Sequence, residues 1–79
     1  SIGDISRYQQ LKDNADDFVS PREMLVELYN VDRHLARSLR AAHELCDSYG
    51  DVATTSMIEV WIDESERRQW FLAEIAREV

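Results

Sequence analysis

An all-α fold of two long antiparallel helices, preceded by a shorter one, is predicted by three observations. The chain of 79 residues holds only two glycines, Gly3 and Gly50, and one proline, Pro21, so little interrupts a helix. Apolar residues recur at spacings of three, four and seven rather than two. A helix-start signal at Ser20 and a helix-break signal at Gly50 divide the chain into segments of matching length.

In the first segment, Ile2, Ile5, Tyr8 and Leu11 recur every third residue, which suits a short helix over 1–14. Residues 14–20, with Asp16 and Asp17, read as a polar loop. Ser20-Pro21-Arg22-Glu23 then opens a long helix over 21–49. Ser20 can accept a hydrogen bond from a free backbone N–H. Pro21 stands where its missing N–H costs nothing, and Glu23 can reach back to complete a capping box. The helix would be about 40 Å long. Its apolar stripe is Leu25, Leu28, Leu35, Leu39, Ala42, Cys46 and Tyr49, interrupted by Asp32.

Gly50 ends that helix, and Asp51 is placed to cap the next, over 52–77. So tight a hinge predicts antiparallel packing. Ile58, Trp61, Ile62, Leu72 and Ile75 form the apolar surface of the second long helix. Asp63–Arg67 and Glu64–Arg68 have the spacing and orientation of helix-stabilising ion pairs. Trp61 and Trp70 are two and a half turns apart and leave the helix on opposite sides. Two facing stripes make too small a core for a chain of this size. Further protein is therefore expected against both sides.

Nine Lys+Arg against sixteen Asp+Glu give a net charge of −7. That balance argues against a nucleic-acid surface, which needs clustered positive charge. No apolar run reaches membrane-spanning length, so no membrane partner is expected. Ser1–Asp4 offers neither a basic start nor an apolar stretch, so no secretory leader is expected. The single cysteine, Cys46, cannot close an internal disulfide, and a cytoplasmic setting is the default.

The chemistry-bearing residues are few. His34 and His43 point to opposite sides of one helix and cannot share an ion. No Glu-x-x-His occurs. Cys46 reads as a small buried hydrophobe, or as a redox thiol if exposed beside a base. Asp32 reads as half of an ion pair or an interface contact, with Arg33, Arg37 and Arg40 as local partners; a buried ligand is the other reading. Those arginines form a stripe suited to an interface. Trp70-Phe71-Leu72 reads as core. Asp47, Asp51, Glu59 and Asp63 gather around the turn and along the second long helix. If several subunits met there, these acids would form a ring attractive to cations. The plainer reading, a solvated acidic face with Asp63 neutralised by Arg67, weighs more from the residues alone.

Several stretches resemble the DNA-protection-during-starvation (Dps) mini-ferritins. They are Ser1-Ile2-Gly3-Asp4-Ile5-Ser6-Arg7, Leu11-Lys12-Asp13-Asn14 and Pro21-x-x-Met24-Leu25-Val26-Glu27-Leu28, then Arg40-Ala41-Ala42-His43 and Gly50-Asp51-Val52-Ala53-Thr54. The last is Trp61-Ile62-Asp63-Glu64-x-Glu66-Arg67-Arg68-x-Trp70-Phe71-Leu72. The resemblance implies that residues 1–79 are the C-terminal half of one ferritin-like domain. Residues 1–14 would be the crossover helix, and 21–49 and 52–77 the third and fourth helices of a four-helix bundle. The N-terminal half would be its first partner, and a homo-oligomer of twelve subunits the final assembly. Such cages sit in the cytoplasm, at times on the nucleoid. They bind iron, oxidise Fe²⁺, usually with hydrogen peroxide, and store ferric mineral, which protects DNA. Many members also bind DNA without sequence preference.

The same resemblance implies a ferroxidase only as the complete assembly. The family's ferroxidase ligands lie on the first two helices, so none is carried over and no catalytic residue is assigned here. The family's iron-entry pore lies near the turn between the last two helices, where Asp47 and Asp51 fall and Glu59 and Asp63 contribute. Ser56 stands where some members carry another pore aspartate. Asp32, Trp61, Trp70 and Phe71 are assigned to core or interface. The competing class is an acidic helical hairpin that dimerises or docks on a partner helix, with no metal chemistry.

Overall fold

A computed structural model describes residues 19–79, which form two α-helices and no strand. The helix expected over 1–14 lies outside the described residues, as does most of the loop after it. Helix α1 spans Pro21–Ser48 and helix α2 spans Val52–Glu78. Among the described residues no helix is long and apolar enough to cross a membrane.

Local chemistry sets each boundary. Ser20 is the N-cap of α1: its Oγ accepts from the Glu23 N–H at 3.1 Å, and Pro21 fills the first turn. The reciprocal bond, from the Ser20 N–H to the Glu23 carboxylate, is not made, so half of the expected capping box forms. At the other end, the Asp51 N–H donates to the Cys46 carbonyl at 3.0 Å and the Gly50 N–H to the Asp47 carbonyl at 2.9 Å. This is a Schellman ending, with Gly50 in the left-handed conformation at φ +71°. Asp51 also starts α2. Its Oδ1 accepts from the Thr54 N–H at 3.1 Å, and its carbonyl accepts from the Thr55 hydroxyl at 2.6 Å.

The helices run antiparallel, and mostly small or polar side chains line their seam, with Ile58 buried among them. The buried residues are Asp32 and Ala36 of α1 and Thr55, Ile58, Ser65 and Ala76 of α2. Ser65 is fully buried at 0% exposure, so the helices approach closely at this point. The leucine stripe is offset from this seam. At 3.6 residues per turn, Leu25, Asp32, Ala36, Leu39 and His43 fall within about a sixth of a turn. Met24, Leu28, Val31, Leu35 and Ala42 fall to one side of them. Leu28 accordingly remains 51% exposed, and Tyr49 at the helix end is exposed as well.

The hairpin therefore has two unlike sides. On one, Arg40 Nη2 meets Glu66 Oε2 at 2.5 Å, and His43 Nε2 meets Glu59 Oε2 at 2.7 Å. On the other, Leu28 and Val31 of α1 and Phe71 and Leu72 of α2 line one concavity. Phe71 is 56% exposed. Trp70, on the opposite side of α2 from Trp61, is 68% exposed.

Candidate functional site

The most developed polar site is at the seam. Asp32 comes from the middle of α1, and Ser65 and Arg68 come from one turn of α2. Asp32 lies about as far before Gly50 as those two lie after it, which is why the antiparallel pairing brings them together. The Ser65 hydroxyl stands 3.1 Å from Asp32 Oδ2 and 3.3 Å from its backbone carbonyl. Arg68 Nε and Nη2 both approach Asp32 Oδ1 at 3.4 Å. No buried side-chain N or O among the described residues is left without a partner. A carboxylate interrupting an apolar stripe is thus held in an ion pair across the helices. Its partner is neither Arg33, Arg37 nor Arg40. Arg33 lies instead over the Tyr29 ring, 5.9 Å from its centroid, and Arg40 pairs with Glu66.

The Glu64–Arg68 pair read from helix spacing does not form. Arg68 is drawn to Asp32, whose side chain is only 11% exposed. A charge in that poorly solvated setting attracts more strongly than one on the open surface. Arg67 does pair with Asp63, at 2.9 Å.

The acids around the turn occupy different settings. The Asp47 side chain is exposed at the end of α1, and its backbone carbonyl serves the turn. The Asp51 carboxylate is the cap of α2. Hydrogen bonds from the Thr54 side chain and then from the Thr54 backbone N–H hold its carboxyl below the ordinary value of 3.8. Glu59 is paired with His43 and Asp63 with Arg67, both on the surface. Ser56 is exposed. Among the described residues no three His, Cys, Asp or Glu side chains converge as metal ligands.

The lowered Asp51 value gives a pH dependence of definite sign. The cap stabilises α2 while the carboxyl is ionised. Its contribution is present above the unfolded value and lost as pH falls through the lower folded value. Asp51→Asn caps without titrating. Helicity followed by circular dichroism in acid should fall less steeply for Asp51→Asn than for the parent chain. Parallel curves would mean that the cap does not couple to protonation.

Two features carry no signal in local sequence. Ser65 is an ordinary hydroxyl on a helix, and only counting back from the turn pairs it with Asp32. His43 and Glu59 are likewise matched only through the antiparallel register.

A family model described as the ferritin-like domain matches residues 1–79, the whole of the chain. Neither the comparison with curated proteins nor that with solved structures gives a match.

Proposed function

This chain belongs to the ferritin-like domain family, and from that premise we propose that it is the C-terminal half of an iron-storing mini-ferritin subunit. Helices α1 and α2 would be the third and fourth helices of its four-helix bundle. One observation carries the reading. The hairpin fills its seam mostly with small and polar residues around Ile58 and turns Leu28, Trp61 and Phe71 outward, as a half-bundle must. The first two helices of the same subunit cover that side. Trp70, on the other side of α2, packs against a neighbouring subunit of a dodecameric cage.

In this reading Fe²⁺ is the cargo. Asp47, Asp51, Glu59 and Asp63 line the entry pore and raise the local concentration of cations by focusing the field. Ligands from the N-terminal half hold the ferrous ions. Hydrogen peroxide takes one electron from each of two of them as its O–O bond breaks, and hydrolysis of the ferric product releases protons. Withdrawing Fe²⁺ from radical-forming chemistry protects DNA.

The test starts from native and denaturing mass of the purified material, followed by peroxide-driven formation of ferric mineral. A cage far above the 9.2 kDa of this chain, active in iron oxidation, is expected. In that cage, Asp47→Asn/Asp51→Asn/Glu59→Gln/Asp63→Asn should slow iron uptake by about tenfold at low salt and by less at high salt. Unchanged uptake would remove these acids from the entry route.

A second reading, an acidic hairpin that docks on a partner helix without metal chemistry, is favoured by the pairing of Glu59 with His43 and of Asp63 with Arg67. A small native species with no response to Fe²⁺ would select it.

A further inference from the structure

Arg68 is only partly used by the hairpin. A guanidinium carries five N–H donors in a rigid fork. Two of them, on Nε and Nη2, reach a single oxygen of Asp32, both at 3.4 Å. A well-seated arginine–carboxylate pair closes to about 2.7–2.9 Å. Asp32 Oδ2 is meanwhile engaged by Ser65, so the carboxylate is satisfied while the arginine is not. The Arg68 side chain is 53% exposed.

Apart from Asp32, the residues that line the cavity with Arg68 are apolar. A concavity of about 330 Å³ opens between the helices, lined by Leu28, Val31, Asp32, Arg68, Phe71 and Leu72. Phe71 and Leu28, both half-exposed, line this concavity with Arg68. A helix laid on this side to bury them also removes water from the remaining Arg68 donors. A purely apolar cover would leave charged N–H groups without acceptors, which costs more than any other kind of unmade hydrogen bond.

We propose that the helix covering this side is amphipathic and carries one side-chain oxygen acceptor, a carboxylate or an amide, level with Arg68. Arg68 is then a connector, tied to Asp32 within the hairpin and to the covering helix beyond it. A single polar contact in an apolar interface also sets the register of that helix, because a shift along the axis strands both groups. The inference rests on the reading that a helix covers this side.

Three synthetic helical peptides test it, identical in their leucine pattern and differing at one core position, Glu, Gln or Leu. Each is titrated against the 79-residue chain, with tryptophan fluorescence as the readout. The Glu and Gln peptides should bind about tenfold more tightly than the Leu peptide. Against Arg68→Met the order should reverse. Arg68→Lys, which keeps the charge without the fork, should retain part of the preference. Acidification through the carboxylate range should weaken the Glu peptide and leave the Gln peptide unaffected, which separates the two acceptors. If the Leu peptide binds the parent chain as tightly as the others, the connector role is overturned while the covered face stands. If none binds, the helix-covered face fails, and the connector with it.

Discussion

Ser65→Leu is expected to separate the two helices. Ser65 is fully buried where α1 and α2 approach, and its hydroxyl stands 3.1 Å from the Asp32 carboxylate. Leucine adds two heavy atoms to a site with no room and removes the donor. Overpacking of this kind costs roughly 1–3 kcal/mol. Leaving a buried carboxylate oxygen without its hydrogen bond adds about 1–3 kcal/mol more. A total of about 2–6 kcal/mol is a large share of the stability of any small domain. Urea unfolding followed by circular dichroism should show the midpoint falling sharply. Ser65→Ala separates the two causes, because it removes the donor and adds no volume. It should cost about 1–3 kcal/mol, the hydrogen-bond share alone. If Ser65→Leu behaves no worse than Ser65→Ala, the close approach at this position is not a constraint.

The second large effect is expected at Gly50. Its φ of +71° belongs to the left-handed region, and a Cβ built there meets nothing within 4 Å. The penalty for a side chain is therefore conformational and owes nothing to a clash. Gly50→Ala should cost about 1–2 kcal/mol. Gly50→Val should cost more, because a β-branched residue tolerates that region least. Gly50→Asn should fall below both, since asparagine visits it readily. The order Asn, Ala, Val in loss of stability is the expected result. Equal losses for all three would place the cause in the surroundings of the turn rather than in its backbone.

The contrast between these two sites shows which parts of the fold are readable. The start at Ser20-Pro21 and the turn at Gly50-Asp51 depend on residues within three or four positions of one another. Local chemistry decides them, and both were legible in the sequence. The seam was not. Its members include Ala36, Thr55, Ser65 and Ala76, which carry little or no hydrophobic signal, while the conspicuous Leu28 and Leu35 mark a flank. Periodicity locates an apolar stripe but does not say which neighbour the stripe meets. Two such stripes on one helix blur into one.

The site followed the same division. That Asp32 sits where an ion pair is needed was legible, because a carboxylate among leucines must be compensated. Its partner was not, because Arg68 had a local claimant in Glu64 and the local rule lost. Helix-surface pairs are worth only about 0.2–0.5 kcal/mol, so a less hydrated carboxylate across the seam easily outbids them. The acids around the turn were legible as a group. Their separate employments are set at different levels, Asp51 as a cap by local chemistry and Glu59 against His43 by the antiparallel fold.

The turn itself governs how the hairpin assembles. Asp51 completes the ending of α1 through its N–H and begins α2 through its carboxylate, so no free loop lies between the helices. Closure entropy, which grows with loop length, is near its minimum. Contacts can then form by zippering outward from the turn, each one shortening the search for the next. Pairing of this nested kind has low contact order and belongs among fast folders, in the microsecond-to-millisecond range. The register that sets Ser65 against Asp32 is thus reached by counting out from one residue, without a search among alternative alignments.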